Sequence, residues 1–158
     1  MTDISLDIGE HYLNFRVGAV IRKNNQILVH KSLNMNHITL PGGRIQDGED
    51  SIKAVQREIK EEIGEDTIYV KPVGIIENFF KMKGKKYHEI LIVHELKFSD
   101  EKSYDKKIEP IEEKNKEVIE FKWTNINDLD KNNFQPKVLV NIIKENNGFK
   151  HAIERKKD

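Results

Sequence analysis

The sequence predicts an α/β domain, a mixed β-sheet with one helix on each side. Three observations carry this expectation. Runs rich in Val, Ile, Phe and Tyr recur at 16–21, 26–30, 68–82, 87–98 and 118–123, separated by Asn and Gly turn residues. Between them, 50–63 repeats its apolar residues at helical spacing, and a second such stretch begins at Pro136. A length of 158 residues, with neither repeat nor linker, fits one domain over 1–158, with its core at about 15–145 and a polar, frayed tail at 146–158.

The elements follow in order. Arg16–Ile21 and Gln26–His30 read as a hairpin around Lys23-Asn24-Asn25. Ile38-Thr39-Leu40 reads as a short strand that delivers the chain into a tight glycine turn, Leu40-Pro41-Gly42-Gly43-Arg44. A helix spans Asp50 to Ile63, started by Asp47, Glu49 and Asp50 and stopped by Gly64. Ile68–Val73 and Gly74–Met82 lead through Lys83-Gly84-Lys85 into the long run Tyr87–Phe98, the second hairpin. The charged stretch Ser99–Lys116 reads as a surface loop. Strand character returns at Val118–Trp123, one helical turn fits Ile126–Leu129, and Val138, Leu139, Ile142 and Ile143 define a helix to about Glu145.

The 50–63 helix is chemically two-sided. Ile52, Val55, Ile59 and Ile63 form an apolar stripe, while Glu58, Glu61 and Glu62 project together from the other side. Like charges at these spacings repel by roughly 0.2–0.5 kcal/mol per pair, so a helix selected for stability alone would place lysines among them. Three crowded carboxylates suit a hard divalent cation: Mg²⁺ takes oxygen ligands, and Mn²⁺ fits the same set.

Gly43, five residues, Glu49, seven residues, then Arg57-Glu58-Ile59-Lys60-Glu61-Glu62-Ile63-Gly64 resembles the Nudix box. The final position departs: the family has an aliphatic residue where this chain has Glu65. The resemblance continues weakly from about Phe15 to Lys144. It implies an α/β/α sandwich with the box as a loop-helix-loop beside the sheet. It also implies a Mg²⁺-dependent pyrophosphohydrolase that cleaves the phosphoanhydride of a nucleoside diphosphate linked to another group. Carried onto this chain, Glu58 and Glu62 are metal ligands, Glu61 is ligand or base, and the Gly43 carbonyl joins the metal sphere. Arg57 fixes a glutamate, Glu49 braces that network, and Arg44 is a phosphate contact.

An acidic residue outside the box often completes such sites. Glu117 is preferred, with Glu120, Glu112, Glu113, Glu77 and Glu89 as further choices. Base-gripping candidates are Phe80, Tyr87 and Phe134, with Phe79, His88, Asn78 and Gln135 behind them. Alternation along a strand sends Phe79 and Phe80 to opposite faces, so at most one of the two meets ligand and the other is core.

The proline typical of ADP-ribose hydrolases and the tyrosine of diadenosine polyphosphate hydrolases, both some way beyond the box, are replaced by Phe80-Lys81-Met82-Lys83, and without cysteine the isopentenyl diphosphate isomerase chemistry is excluded. The expectation leans to (d)NTPs or oxidised purine nucleotides. The alternatives are a nucleotide-sensing module without turnover, an ADP-sugar or dinucleotide polyphosphate hydrolase, and RNA 5′-end processing.

Composition bounds the rest. Balanced charge, 27 basic against 27 acidic residues, argues against DNA and membrane partners and disfavours RNA, leaving a small nucleotide. The absence of cysteine removes disulfides and thiolate sites. Met1 to Asp7 lacks a basic and then apolar leader pattern, so the expectation is a cytoplasmic monomer or homodimer.

Overall fold

A computed structural model of the chain describes residues 1–156. Among them are nine strands and two α-helices: β1 (Ser5–Ile8), β2 (His11–Lys23), β3 (Gln26–Ser32), β4 (Gly42–Arg44), α1 (Ser51–Ile63), β5 (Thr67–Met82), β6 (Lys85–Phe98), β7 (Ile111–Glu112), β8 (Val118–Asn125), α2 (Val138–Glu145) and β9 (Lys150–Arg155). The sheet order is β7-β8-β3-β2-β6-β5-β9, with β1 and β4 also paired to β2. β2 runs parallel to β6 and β5 parallel to β9; the other pairs are antiparallel. No helix among the described residues is long and apolar enough to cross a membrane.

Alternation along the central strands makes the sandwich. In β2, Val17, Ala19 and Ile21 join Ala54, Val55 and Ile59 of α1 in one core, whereas Val20 joins Leu139, Val140 and Ile143 of α2 in the other. Each helix covers one face, as an α/β/α arrangement requires. The ends of α1 are where local chemistry puts them: the Asp50 side chain accepts from the Lys53 amide at 2.9 Å, and Gly64 closes the helix at φ 83°.

One irregularity shapes the site. β2 pairs with β3 only at Arg22↔Ile27 and Lys23↔Gln26, and its earlier residues pair with β4 instead. The sheet therefore splays, and a cavity opens between β3 and β8 on one wall and β2, β6 and β5 on the other.

Several expectations need correction. Gly42–Arg44 is a strand rather than a free turn, because Gly42 lies so close to β2 that a Cβ there would sit 1.9 Å from the Val17 carbonyl oxygen. Ile38 and Thr39 form isolated bridges, not a strand. The sheet also begins before residue 15, since β1 and the start of β2 form a hairpin.

The tail is the largest departure. Lys150–Arg155 is a strand parallel to β5, held by main-chain pairing that polar composition cannot reveal. Gly74 permits that approach, because a Cβ there would lie 2.3 Å from the Lys150 oxygen. The charged 99–116 stretch is likewise anchored: Tyr104 packs on Phe98 and Trp123, its hydroxyl accepts from the Phe98 amide at 3.0 Å, and β7 pairs with β8.

Candidate active site

Arg57 organises the acidic helix. Its Nε and Nη2 donate to the two Glu49 oxygens at 2.7 and 3.0 Å, a two-pronged pairing, and Nη2 also donates to the Arg44 carbonyl at 3.0 Å. Its Nη1 reaches Glu58 at 3.1 Å and Glu61 at 3.2 Å. One guanidinium thus ties the loop before α1 to two glutamates upon it. The Arg57 hydrogen bonds hold Glu49 below the usual carboxylate range, and Glu49 in turn raises the Arg57 pKa further.

Glu62 differs from its neighbours. Burial, and then the charge of Glu58, push its pKa up to about 9, and its Oε2 is buried without a hydrogen-bond partner. Burial raises the Glu58 pKa too, against the opposing pull of Arg57. Gly43 lies directly against Glu58: a Cβ on Gly43 would stand 2.3 Å from the Glu58 carboxyl carbon, so only glycine leaves room for backbone and carboxylate together. Among the described residues no three acidic or histidine side chains converge on one point at metal-ligand spacing; Glu58 and Glu61 are turned onto Arg57 instead. The donor set nevertheless fits a hard divalent cation. A buried, unpartnered carboxylate oxygen beside a second raised carboxylate is unfavourable by itself, and an ion with oxygen preference would relieve both.

These glutamates border a cavity of about 1030 Å³ that runs from α1 across the sheet face. Phe80 and Tyr87, cross-strand partners, line it with rings stacked at 4.8 Å and 1° between planes. Phe79 falls on the other face, beside His88 and under Arg155, as strand alternation requires. Arg44 lines the cavity, with its Nε buried and unpartnered.

Phe134 does not reach the site. It is 1% exposed and belongs to the α2-side core; its neighbour Gln135 lines the cavity instead, with a buried, unpartnered Oε1. Glu117 lines the cavity, but its carboxylate is taken by Lys83 at 2.9 Å, which lowers its pKa. Glu113 also lines the cavity, and its charge contributes to the raised Glu62 pKa. Glu120 is exposed, and Glu77 pairs with His151 at 2.7 Å.

Sequence reasoning named Glu89 and Asn78 singly but missed Asn14 and Arg16, and with them the buried polar group that the four form beside the cavity. Asn14 and Asn78 donate to Glu89 at 3.4 and 3.1 Å, and Arg16 stands 3.6 Å from the same carboxylate. The available signal was the period-two placement of Asn14 and Arg16 before Gly18 in an otherwise apolar strand. His30, whose pKa burial lowers to about 4, lines the opposite wall. At the position that departs from the box, Glu65 accepts from buried Ser103 at 2.6 Å and pairs with Lys106 at 3.2 Å. A polar contact thus docks the 101–106 segment.

Comparison with solved structures finds the same fold in a UDP-X diphosphatase, at 17% identity and TM-score 0.59, covering 89% of this chain. This chain spans just 66% of that protein. A NUDIX hydrolase from Nitrosomonas europaea matches at 18% identity and TM-score 0.64, over 90% of this chain and 79% of the other. A MutT protein from Methanosarcina mazei Go1 matches at 21% identity and TM-score 0.62, over 88% and 95%. A comparison with curated proteins found no significant match. The NUDIX domain profile fits residues 13–142, which include β4, α1 and the glutamates grouped around Arg57, and on that match the chain belongs to the NUDIX hydrolase family.

Proposed function

We propose that this protein hydrolyses the phosphoanhydride of a nucleoside diphosphate derivative in a Mg²⁺-dependent reaction, with nucleoside triphosphates as the preferred class. The observation that carries the reading is the continuity of one cavity. Glu62, whose Oε2 is buried and unpartnered, and the stacked Phe80–Tyr87 pair line the same cavity, so the phosphate chain and the base of one ligand would meet both. Glu58, Glu61 and Glu62 would hold the cation, with the Gly43 carbonyl beside them. When bound, such an ion neutralises phosphate charge and activates water for attack on phosphorus.

The chain's own residues do the rest. Arg57 and Glu49 fix the direction of Glu58 and Glu61, so that the carboxylates meet the ligand with little reorganisation. Glu61, paired with Arg57 at 3.2 Å yet with 58% of its side chain exposed, is the most solvent-accessible of the three and the one that would take a proton from the attacking water if it does not ligate the ion. Phe80 and Tyr87 hold a base by stacking, a mode indifferent to base identity and worth about 1–3 kcal/mol per base. Gln135 and Asn78, which line the same cavity, would read the base edge.

The deciding experiment is a panel of nucleoside triphosphates, diphosphate sugars and dinucleotides with Mg²⁺, scored by phosphate and pyrophosphate release. Expected are turnover of triphosphates, its reversible loss on chelation, and a fall of at least about a hundredfold in Glu61→Gln and Glu62→Gln. Activity indifferent to chelation would overturn the mechanism.

A further inference from the structure

Arg16 of β2 and Arg44 of β4 are direct cross-strand partners. Residues opposed in this way share a face with their Cβ atoms about 4.5–5.5 Å apart, and like charges so placed destabilise the pair. Both side chains line the large cavity between the α1 glutamates and the aromatic wall. Neither makes a close ion pair. Arg16 has Glu89 at 3.6 Å and its charge also reaches Glu58 and Glu62, while Arg44 has Asp3 at 4.0 Å and the Tyr12 ring at 5.6 Å, with its Nε buried and without a partner. Two opposed guanidinium forks with unused donors, beside a carboxylate-lined metal end, present what a doubly charged phosphate requires.

We propose that Arg16 and Arg44 form a clamp for the substrate phosphate that is not attacked, and that Glu89 is the positioning residue that aims Arg16. This rests on the reading of the cavity as a phosphoanhydride site. Glu89 suits the positioning role because it is itself fixed. It is 6% exposed, and its two oxygens accept from Asn14 of β2 and Asn78 of β5, so three strands set its place. The clamp gives the buried Glu89, and the two asparagines that hold it, a function on the cavity side of the sheet. A diphosphate bridging the glutamate end and the clamp would leave its nucleoside directed at Phe80 and Tyr87.

The test is titration calorimetry of the full chain with inorganic pyrophosphate in the presence of EDTA, paired with steady-state kinetics in Mg²⁺. Wild type is expected to bind pyrophosphate saturably without metal. Arg16→Gln and Arg44→Gln should each weaken binding by about tenfold or more, Arg16→Lys should fall between, and Glu62→Gln should bind at least as tightly as wild type. In turnover, Arg16→Gln should raise KM more than it lowers kcat. Because Arg44 carries an unpartnered buried donor and an opposed like charge, Arg44→Gln should melt no lower than wild type when unliganded. Absent pyrophosphate binding in wild type, or unchanged affinity in Arg16→Gln, would overturn the clamp. So would a lowered unliganded Tm in Arg44→Gln and Arg16→Lys alike, which marks a structural pair. If no nucleotide is hydrolysed yet pyrophosphate binding follows this pattern, the proposed reaction fails and the clamp stands. If hydrolysis proceeds and Arg16→Gln alters neither KM nor affinity, the clamp alone fails.

Discussion

Gly43→Ala separates catalytic geometry from folding in one substitution. A Cβ at Gly43 would lie 2.3 Å from the Glu58 carboxyl carbon and Oε1, and 2.5 Å from Oε2. Ordinary contact begins near 3.4 Å, so the carboxylate must retreat by about 1 Å. What yields is the end of a flexible side chain, and the φ of Gly43 lies outside the left-handed region, so the backbone accommodates alanine. The folding cost is therefore small, about 1 kcal/mol from the weakened 3.1 Å contact with Arg57. Catalysis bears the larger loss: a displacement of about 1 Å costs about a hundredfold, or about 3 kcal/mol of barrier. Gly42→Ala is the contrast, because its Cβ meets the Val17 carbonyl oxygen at 1.9 Å and can be relieved only by parting β4 from β2. Thermal melts, kcat in saturating Mg²⁺ and Mn²⁺ binding by electron paramagnetic resonance should thus show Gly43→Ala folded but impaired, and Gly42→Ala destabilised. Turnover of Gly43→Ala within about twofold of wild type would refute the role given to the Gly43–Glu58 contact.

Two further outcomes follow from the site. Glu62, an acid with its folded pKa raised to about 9, gives the metal-free protein stability that is full below the ordinary carboxylate range and is lost as pH rises toward 9, by at most about 1.4 kcal/mol per pH unit. His30, lowered to about 4, acts in the opposite sense: its contribution is present above about 6.5 and is lost as pH falls toward 4. Melts in EDTA should therefore show a stability maximum between these limbs, with the alkaline limb flattened in Glu62→Gln and reversed by Mg²⁺; an unchanged alkaline slope in Glu62→Gln would contradict the assignment. Phe80→Ala, which removes half of the stacked pair, should raise KM about tenfold for purine and pyrimidine nucleotides alike while changing kcat less. Equal KM values for the variant and wild type would remove that wall from the substrate site.

The fold was legible where its determinants are local. Asp50, the 3.6-residue stripe of Val55 and Ile59, and Gly64 define α1 from within the helix itself, and Lys83-Gly84, at φ 52° and 78°, supplies the two-residue turn of the long hairpin. The acidic half of the site was legible for the same reason, since spacing along one helix places Arg57 four residues before Glu61, where the two pair; the Arg57 contact with the adjacent Glu58 does not follow from spacing. The other half depends on register between distant segments. Nothing near Arg16 indicates that it will oppose Arg44, or that Glu89 will collect Asn14 and Asn78 from strands on either side. Phe134 shows how a local reading goes astray: an aromatic residue beside polar neighbours suggests a ligand contact, yet the backbone bridge to Ile38 turns its ring into the core and leaves Gln135 at the cavity. The β9 strand was hidden because main-chain pairing, permitted by the missing Cβ of Gly74, holds a segment whose side chains have no apolar period. Since Arg16, Glu89 and Gln135 are brought to the cavity by register and not by local sequence, chains with the same box and a different strand register would present a different wall to their ligand.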